Sequence, residues 1–174
     1  ELAGVVVHRM TLNDRGAASA AIDATLAGEG RVLCMSTHGR GGIRRGLLGS
    51  VTAEIVRSGD VPVLIVGPRC DPPDALGRPG PVMLCVDGSE RSENVVAAGA
   101  EWAGHLDRDV SLQMAIDPFD AVTSETLQEM VERLRPPLDA TGRRVHWGRI
   151  VTASVATGLV DYATDEKCPL MVLA

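Results

Sequence analysis

The chain has 174 residues, 45% of them apolar, a formal net charge of −6 and a pI near 5.2. No apolar run approaches the roughly 18–20 residues of a membrane span, so no membrane partner is expected. The acidic balance argues against a nucleic-acid partner, and four aromatic residues (Trp102, Phe119, Trp147, Tyr162) are too few for a base-stacking platform.

"GVVVHR" (4–9) is short and β-branched and reads as a strand. "DRGAASAAIDATLAGEG" (14–30) reads as an Ala-rich helix, with Asp14 as N-cap and Gly28 and Gly30 as its stop. "RVLCMS" (31–36) is a second strand. It runs into "STHGRGGIRRGLLGS" (36–50), which holds five glycines and three arginines. Leu47, Leu48, Val51 and Ile55 then share one helical face, and "VPVLIVG" (61–67) is a strand without a polar residue. Continuous apolar strands alternating with helices predict a parallel sheet covered on both faces.

"GPRCDPPDALGRPGP" (67–81), with five prolines and three glycines, reads as an extended linker. The pattern restarts with the strand "VMLCVD" (82–87) and a helix over 92–106 that carries Val95, Gly99, Trp102 and Leu106 on one face. A strand over 109–117 leads to a helix over 121–135, where Pro136-Pro137 is expected to end or kink it. A strand over 143–151, a helix over 154–166 and an apolar strand over 169–174 complete the chain.

Cys34, Cys70, Cys85 and Cys168 form no CxxC pair. Cys34 and Cys85 lie in apolar strands, so buried free thiols in a reducing cytoplasm explain them better than zinc or disulfides. His8 and His146 read as structural strand residues, His38 as exposed or phosphate-touching, and Asp117, Asp120 and Glu125 as a solvated face. No metal site is expected.

An internal repeat appears at an offset of 138 residues. Gly4 matches Gly142, Val7 matches Val145, His8 matches His146, Ala18 matches Ala156 and Asp23 matches Asp161. "VLCMS" (32–36) aligns with "LMVLA" (170–174). The expected organisation is the C-terminal half of one repeat (1–68), a linker (69–81), and the N-terminal part of a second repeat (82–174), cut before its own Gly-rich loop. Residues 37–174 span one period from a different start. The connecting 68–81 can reach about 45 Å when extended, so a circularly permuted domain is geometrically open.

"STHGRGGIRRGLLGS" followed by a helix and "VPVLIV" resembles the phosphate loop of the universal stress protein family. That pattern is Gly, two residues, Gly, nine residues, Gly, then Ser or Thr. Here Ser36 stands at the first position, Gly39 at the second, and Gly49-Ser50 close the motif. "VMLCVDGSE" (82–90) resembles the family's opening strand and "LQMAIDP" (112–118) its second. The resemblance implies a Rossmann-like α/β fold of the adenine-nucleotide α-hydrolase type, with strand order 3-2-1-4-5 per complete domain. It implies a cytoplasmic regulator that binds ATP, with or without Mg2+, and acts through nucleotide-dependent conformation, as a homodimer or a pseudo-dimer of tandem repeats.

The chemistry fits that resemblance. Glycines let successive N–H groups converge on an anion, Gly49-Ser50 leads into a helix N-terminus, and Arg40, Arg44 and Arg45 add positive charge. The expected nucleotide-binding residues are Ser36, Gly39, Gly49, Ser50 and Val51. By resemblance Asp87 joins them on the adenine or ribose, and Ala115 lines the base pocket through its backbone. The residues alone leave Asp87 equally readable as a helix cap or a turn with Gly88 and Ser89. No residue set for a dedicated reaction is present, so no enzyme beyond slow ATP hydrolysis is expected. The alternatives are an interaction module of the same fold without nucleotide, supported by Ser36 in place of glycine, or an adenine-nucleotide enzyme such as a nucleotidyl transferase. "THGRGG" carries only one histidine of that enzyme signature, His-x-Gly-His.

Overall fold

Residues 32–36, 50–58, 62–67, 76–119 and 124–174 are described by the structure, a computed structural model. The chain divides into two units, Glu1–Cys70 and Asp71–Ala174. The expected strand over 4–9, the Ala-rich helix, and Gly39, Gly49, the three loop arginines, His8, His38 and Cys70 all lie outside the described residues.

In the first unit, β1 (Leu33–Ser36) and β2 (Val63–Val66) pair in parallel, from Leu33↔Val63 to Ser36↔Val66. Helix α1 (Ser50–Ser58) connects them in sequence and buries Thr52 and Ile55, three residues apart on one face. The all-apolar string of β2 predicts burial on both sides, yet Ile65 is 38% exposed. Cys34, expected to be buried, is exposed as well. Among the described residues β2 has one ladder neighbour, β1, and a two-stranded sheet leaves flanks open whatever its composition.

In the second unit, a four-stranded parallel sheet is built from β3 (Val82–Val86), β4 (Val110–Ile116), β5 (Val145–Val151) and β6 (Met171–Val172). Its order is β5-β4-β3-β6. This is the 3-2-1-4 portion of the expected 3-2-1-4-5, with β3 as strand 1. Two helices, α2 (Glu90–Glu93) and α3 (Val95–Leu106), join β3 to β4. Helix α4 (Ser124–Asp139) joins β4 to β5, and α5 (Val155–Asp165) joins β5 to β6.

The strands of this sheet have two buried sides with different partners. Val82, Leu84 and Val86 of β3 and Val110, Leu112, Met114 and Ile116 of β4 pack with α3 and α4. The alternate residues Met83 and Cys85 pack with Cys168, and Leu159, Tyr162 and Ala163 of α5 close over them. A parallel sheet with helices on both faces is therefore present, as the apolar strings of β3 and β4 predict. Helix α3 comes so near β3 that a Cβ on Gly99 would lie 2.1 Å from Leu84 Cδ2. Only glycine allows that approach.

Several boundaries differ from expectation. The single helix over 92–106 is broken at Asn94, whose N–H donates to Arg91 O at 3.3 Å in a tight three-residue turn. Val95 and Gly99 are buried as expected, Trp102 and Leu106 are half-buried, and Val96, Ala100 and Ala103 complete the inner face. Helix α4 does not stop at Pro136-Pro137 but runs on to Asp139. The carbonyls these prolines cannot satisfy belong to Glu132 and Arg133, both exposed, so water can serve them. Leu138 is 1% exposed and anchors the last turn in the core. The final strand is short, at Met171–Val172, and pairs with β3 through Met83↔Met171 and Leu84↔Val172.

A circularly permuted domain would place β2 in the same sheet as β3. Instead β2 ladders with β1, and the described strands form two separate sheets in separate units.

Candidate functional site

Parallel strands present one end of the sheet to ligands, where the chain leaves the strand for the next helix. In the first unit, Ser36 is the last residue of β1, Ser50 the first residue of α1, and Val51 the second. The Gly-rich stretch therefore connects the carboxyl end of a parallel strand to a helix N-terminus, where unpaired N–H groups and the helix dipole favour an anion.

In the second unit, Asp87 is the first residue after β3 and Ala115 lies near the end of β4. The register Val86↔Met114 puts Asp87 and Ala115 at the same level of neighbouring strands, at the carboxyl end of the sheet. The sequence-expected residues thus fall into two groups. Ser36, Ser50 and Val51 belong to the first unit, and Asp87 and Ala115 to the second.

Asp87 is built into a turn. Its Oδ1 accepts the Ser89 N–H at 2.9 Å, and its own N–H donates to Ser92 Oγ at 3.1 Å. Gly88 supplies the left-handed residue between them, at φ +85°. Ser89 caps α2 by accepting the Ser92 N–H at 3.2 Å, and the Ser92 hydroxyl donates back to Ser89 O at 2.9 Å. The hydroxyls of Ser89 and then Ser92, with the Ser89 N–H, hold the Asp87 carboxyl down at about 2. Asp87 is also exposed, so a fixed, ionised carboxylate faces solvent at the ligand end of the strand.

Asp117, read from sequence as part of a solvated face, repeats this turn one strand over. Its Oδ1 accepts the Phe119 N–H at 2.9 Å, and Phe119 is left 95% exposed. The signal was the Asp-Pro dipeptide directly after an apolar strand. Among the described residues no three His, Cys, Asp or Glu side chains converge as metal ligands. None of the described helices is long and apolar enough to cross a membrane.

The class defined so far is a parallel α/β protein with helices on both faces of its larger sheet. The sequence model of the universal stress protein family matches residues 1–67, which nearly fill the first unit. No curated protein sequence matches the chain. Solved structures similar to it include a universal stress protein in complex with cAMP, 19% identical, covering 54% of this chain and 75% of that one, with a TM-score of 0.46. A protein from Mycobacterium tuberculosis is 26% identical over 55% of this chain and 70% of that one, with a TM-score of 0.44. A universal stress protein from Archaeoglobus fulgidus is 19% identical over 53% and 74%, with a TM-score of 0.45.

Proposed function

We propose that this chain is a nucleotide-binding stress-response regulator that holds ATP by its phosphates on the Gly-rich stretch and signals through conformation or dimerisation. The observation that carries the reading is the placement of the motif ends. Ser36 closes a parallel strand and Ser50 opens the helix that follows it, with Gly39 and Gly49 at the family's spacing between them. Backbone N–H groups of the stretch and of Ser50 and Val51 would meet the phosphates, and Mg2+ would arrive on the nucleotide. Within the second unit, Asp87 has the exposure and fixed charge to accept the ribose hydroxyls of a separate nucleotide, and Ala115 stands beside it in register. The family match of residues 1–67 supports the same reading. The neighbour solved with cAMP is itself a nucleotide complex. The reading is one of binding, and it assigns no dedicated reaction to these groups.

Titration calorimetry of the full chain with ATP tests this. Micromolar binding that Gly49→Asp abolishes is the expected result. No heat with either protein counts against it and favours the second reading, a nucleotide-free interaction module of the same fold. Two observations favour that second reading. Ser36 replaces the motif's first glycine, and the Asp87 carboxylate is already engaged by its own turn.

A further inference from the structure

The amino end of the four-stranded sheet, opposite the end that carries Asp87, holds a second feature. A cavity of about 350 Å³ opens there, lined by the segment 79–81 and by Asp109, Ser111, His146, Tyr162 and Glu166. Its size falls at the small end of ligand pockets. The wall is held in place. Gly80 N–H donates to Lys167 O at 3.2 Å, and a Cβ on Gly80 would lie 2.0 Å from Glu166 O, so the segment lies directly on the end of α5.

Two residues of the lining, Ser111 and Tyr162, belong to a polar triangle with the buried Gln113. Gln113 Nε2 donates to Ser111 Oγ at 2.9 Å and to Tyr162 Oη at 3.0 Å, and the two hydroxyls lie 3.1 Å apart. Ser111 is 1% exposed and Gln113 4%. The triangle has three edges, and its members bring two amide and two hydroxyl hydrogens. One hydroxyl hydrogen is left over, and both residues that can carry it line the cavity. Buried polar hydrogens call for an acceptor. Elsewhere the need is reversed. Two acidic residues, Asp109 and Glu166, stand in the lining, and among the described residues only Asp109 has an ion-pair partner, Arg144 Nη2 at 2.9 Å.

We propose that this cavity binds a small ammonium compound that also carries hydroxyl groups. The hydroxyl oxygen takes the spare hydrogen of the Ser111–Tyr162 pair, and the ammonium group lies between Asp109 and Glu166. A neutral polyol satisfies the hydroxyl pair but brings no counter-charge to Glu166. An anion meets both carboxylates and is repelled. The site lies within the second unit and does not depend on nucleotide binding by the chain.

The test uses the full chain and three molecules of nearly equal shape: 3-amino-1,2-propanediol, glycerol and glycerate. Tyr162 is the chain's one tyrosine, so its ring signals in a carbon-13 tyrosine-labelled sample report the hydroxyl pair directly. The expected result is saturable movement of those signals by the amine, with a millimolar dissociation constant, as suits a ligand of about six heavy atoms. Glycerol binds at least about tenfold more weakly and glycerate not at all. Glu166→Gln, at an exposed position that the fold does not need, removes most of the preference for amine over glycerol. Equal response to amine and glycerol, an unchanged preference in Glu166→Gln, or no saturable movement with the amine each overturns the proposal.

Discussion

The two faces of the four-stranded sheet share the same strands and differ in kind. Toward α3 and α4, β3 and β4 present only apolar side chains, and α3 comes close enough to demand Gly99. Toward α5, the same β4 presents Ser111, Gln113 and Ala115, and the apolar contribution shrinks to Met83, Cys85 and Cys168 with their partly buried neighbours. Gln113 fits there because β5 carries Gly148, where a Cβ would come within 2.9 Å of Gln113 Oε1. One face is a core in the ordinary sense. The other is a polar network roofed by a helix in which no residue is fully buried. Stability should therefore come mainly from the first face, while the second is free to carry a ligand.

Substitution breaks this comparison most directly at Leu84. It is fully buried, so Leu84→Ala should cost about 2–5 kcal/mol, read from urea unfolding followed by circular dichroism. A loss near zero would mean that the first face does not dominate. The thiols of the second face give the next contrast. Burial pushes Cys85 up to about 12, with Cys168 adding to it, and burial followed by Glu166 pushes Cys168 up to about 11. Both should react with a thiol reagent at pH 8 at least about a hundredfold more slowly than the exposed Cys34, a difference erased in denaturant. Mass spectrometry of labelled peptides checks this site by site.

Smaller effects sharpen the account. Gln113→Leu removes two donated hydrogen bonds but leaves Ser111 and Tyr162 to pair with each other, so it should cost only about 1 kcal/mol by the same unfolding assay. The smallest effect concerns Asp87. Its carboxyl is held below the ordinary 3.8, so its contribution to stability is present above that pH and is lost as the pH falls toward about 2. Because the group is exposed, solvent screening keeps the contribution small. Between pH 5 and pH 2 the unfolding midpoint of Asp87→Asn should fall slightly less than that of the unaltered chain.

Much of this fold was legible because its strands are continuous apolar strings divided by helices of regular period. Leu127, Met130, Val131 and Leu134 recur at helical spacing in the sequence, and all four are buried on α4. What was not legible depends on neighbours that a local pattern does not contain. "VLIV" of β2 is as apolar as "VMLCV" of β3, yet the first is partly exposed and the second entirely buried. Among the described residues β3 has a ladder neighbour on each side and packed side chains over both faces, whereas β2 has one neighbour. Pro136-Pro137 failed as a stop because Leu138 beyond it has a core to enter. For the candidate site, the strand ends were readable from "VDGS" and the Gly-rich spacing, whereas the polar triangle was not. Ser111 and Gln113 look like ordinary strand residues until Tyr162, about 50 positions later, is folded onto them.

The central functional claim is that the segment from Ser36 to Val51 receives the phosphates of a nucleotide. Amide hydrogen exchange with and without ATP, followed by mass spectrometry of the full chain, tests it most directly. The account predicts slowed exchange in peptides covering 36–51, lost in Gly49→Asp, with no change around Tyr162. Unchanged exchange in 36–51 under saturating ATP, or protection confined to other segments, would contradict it.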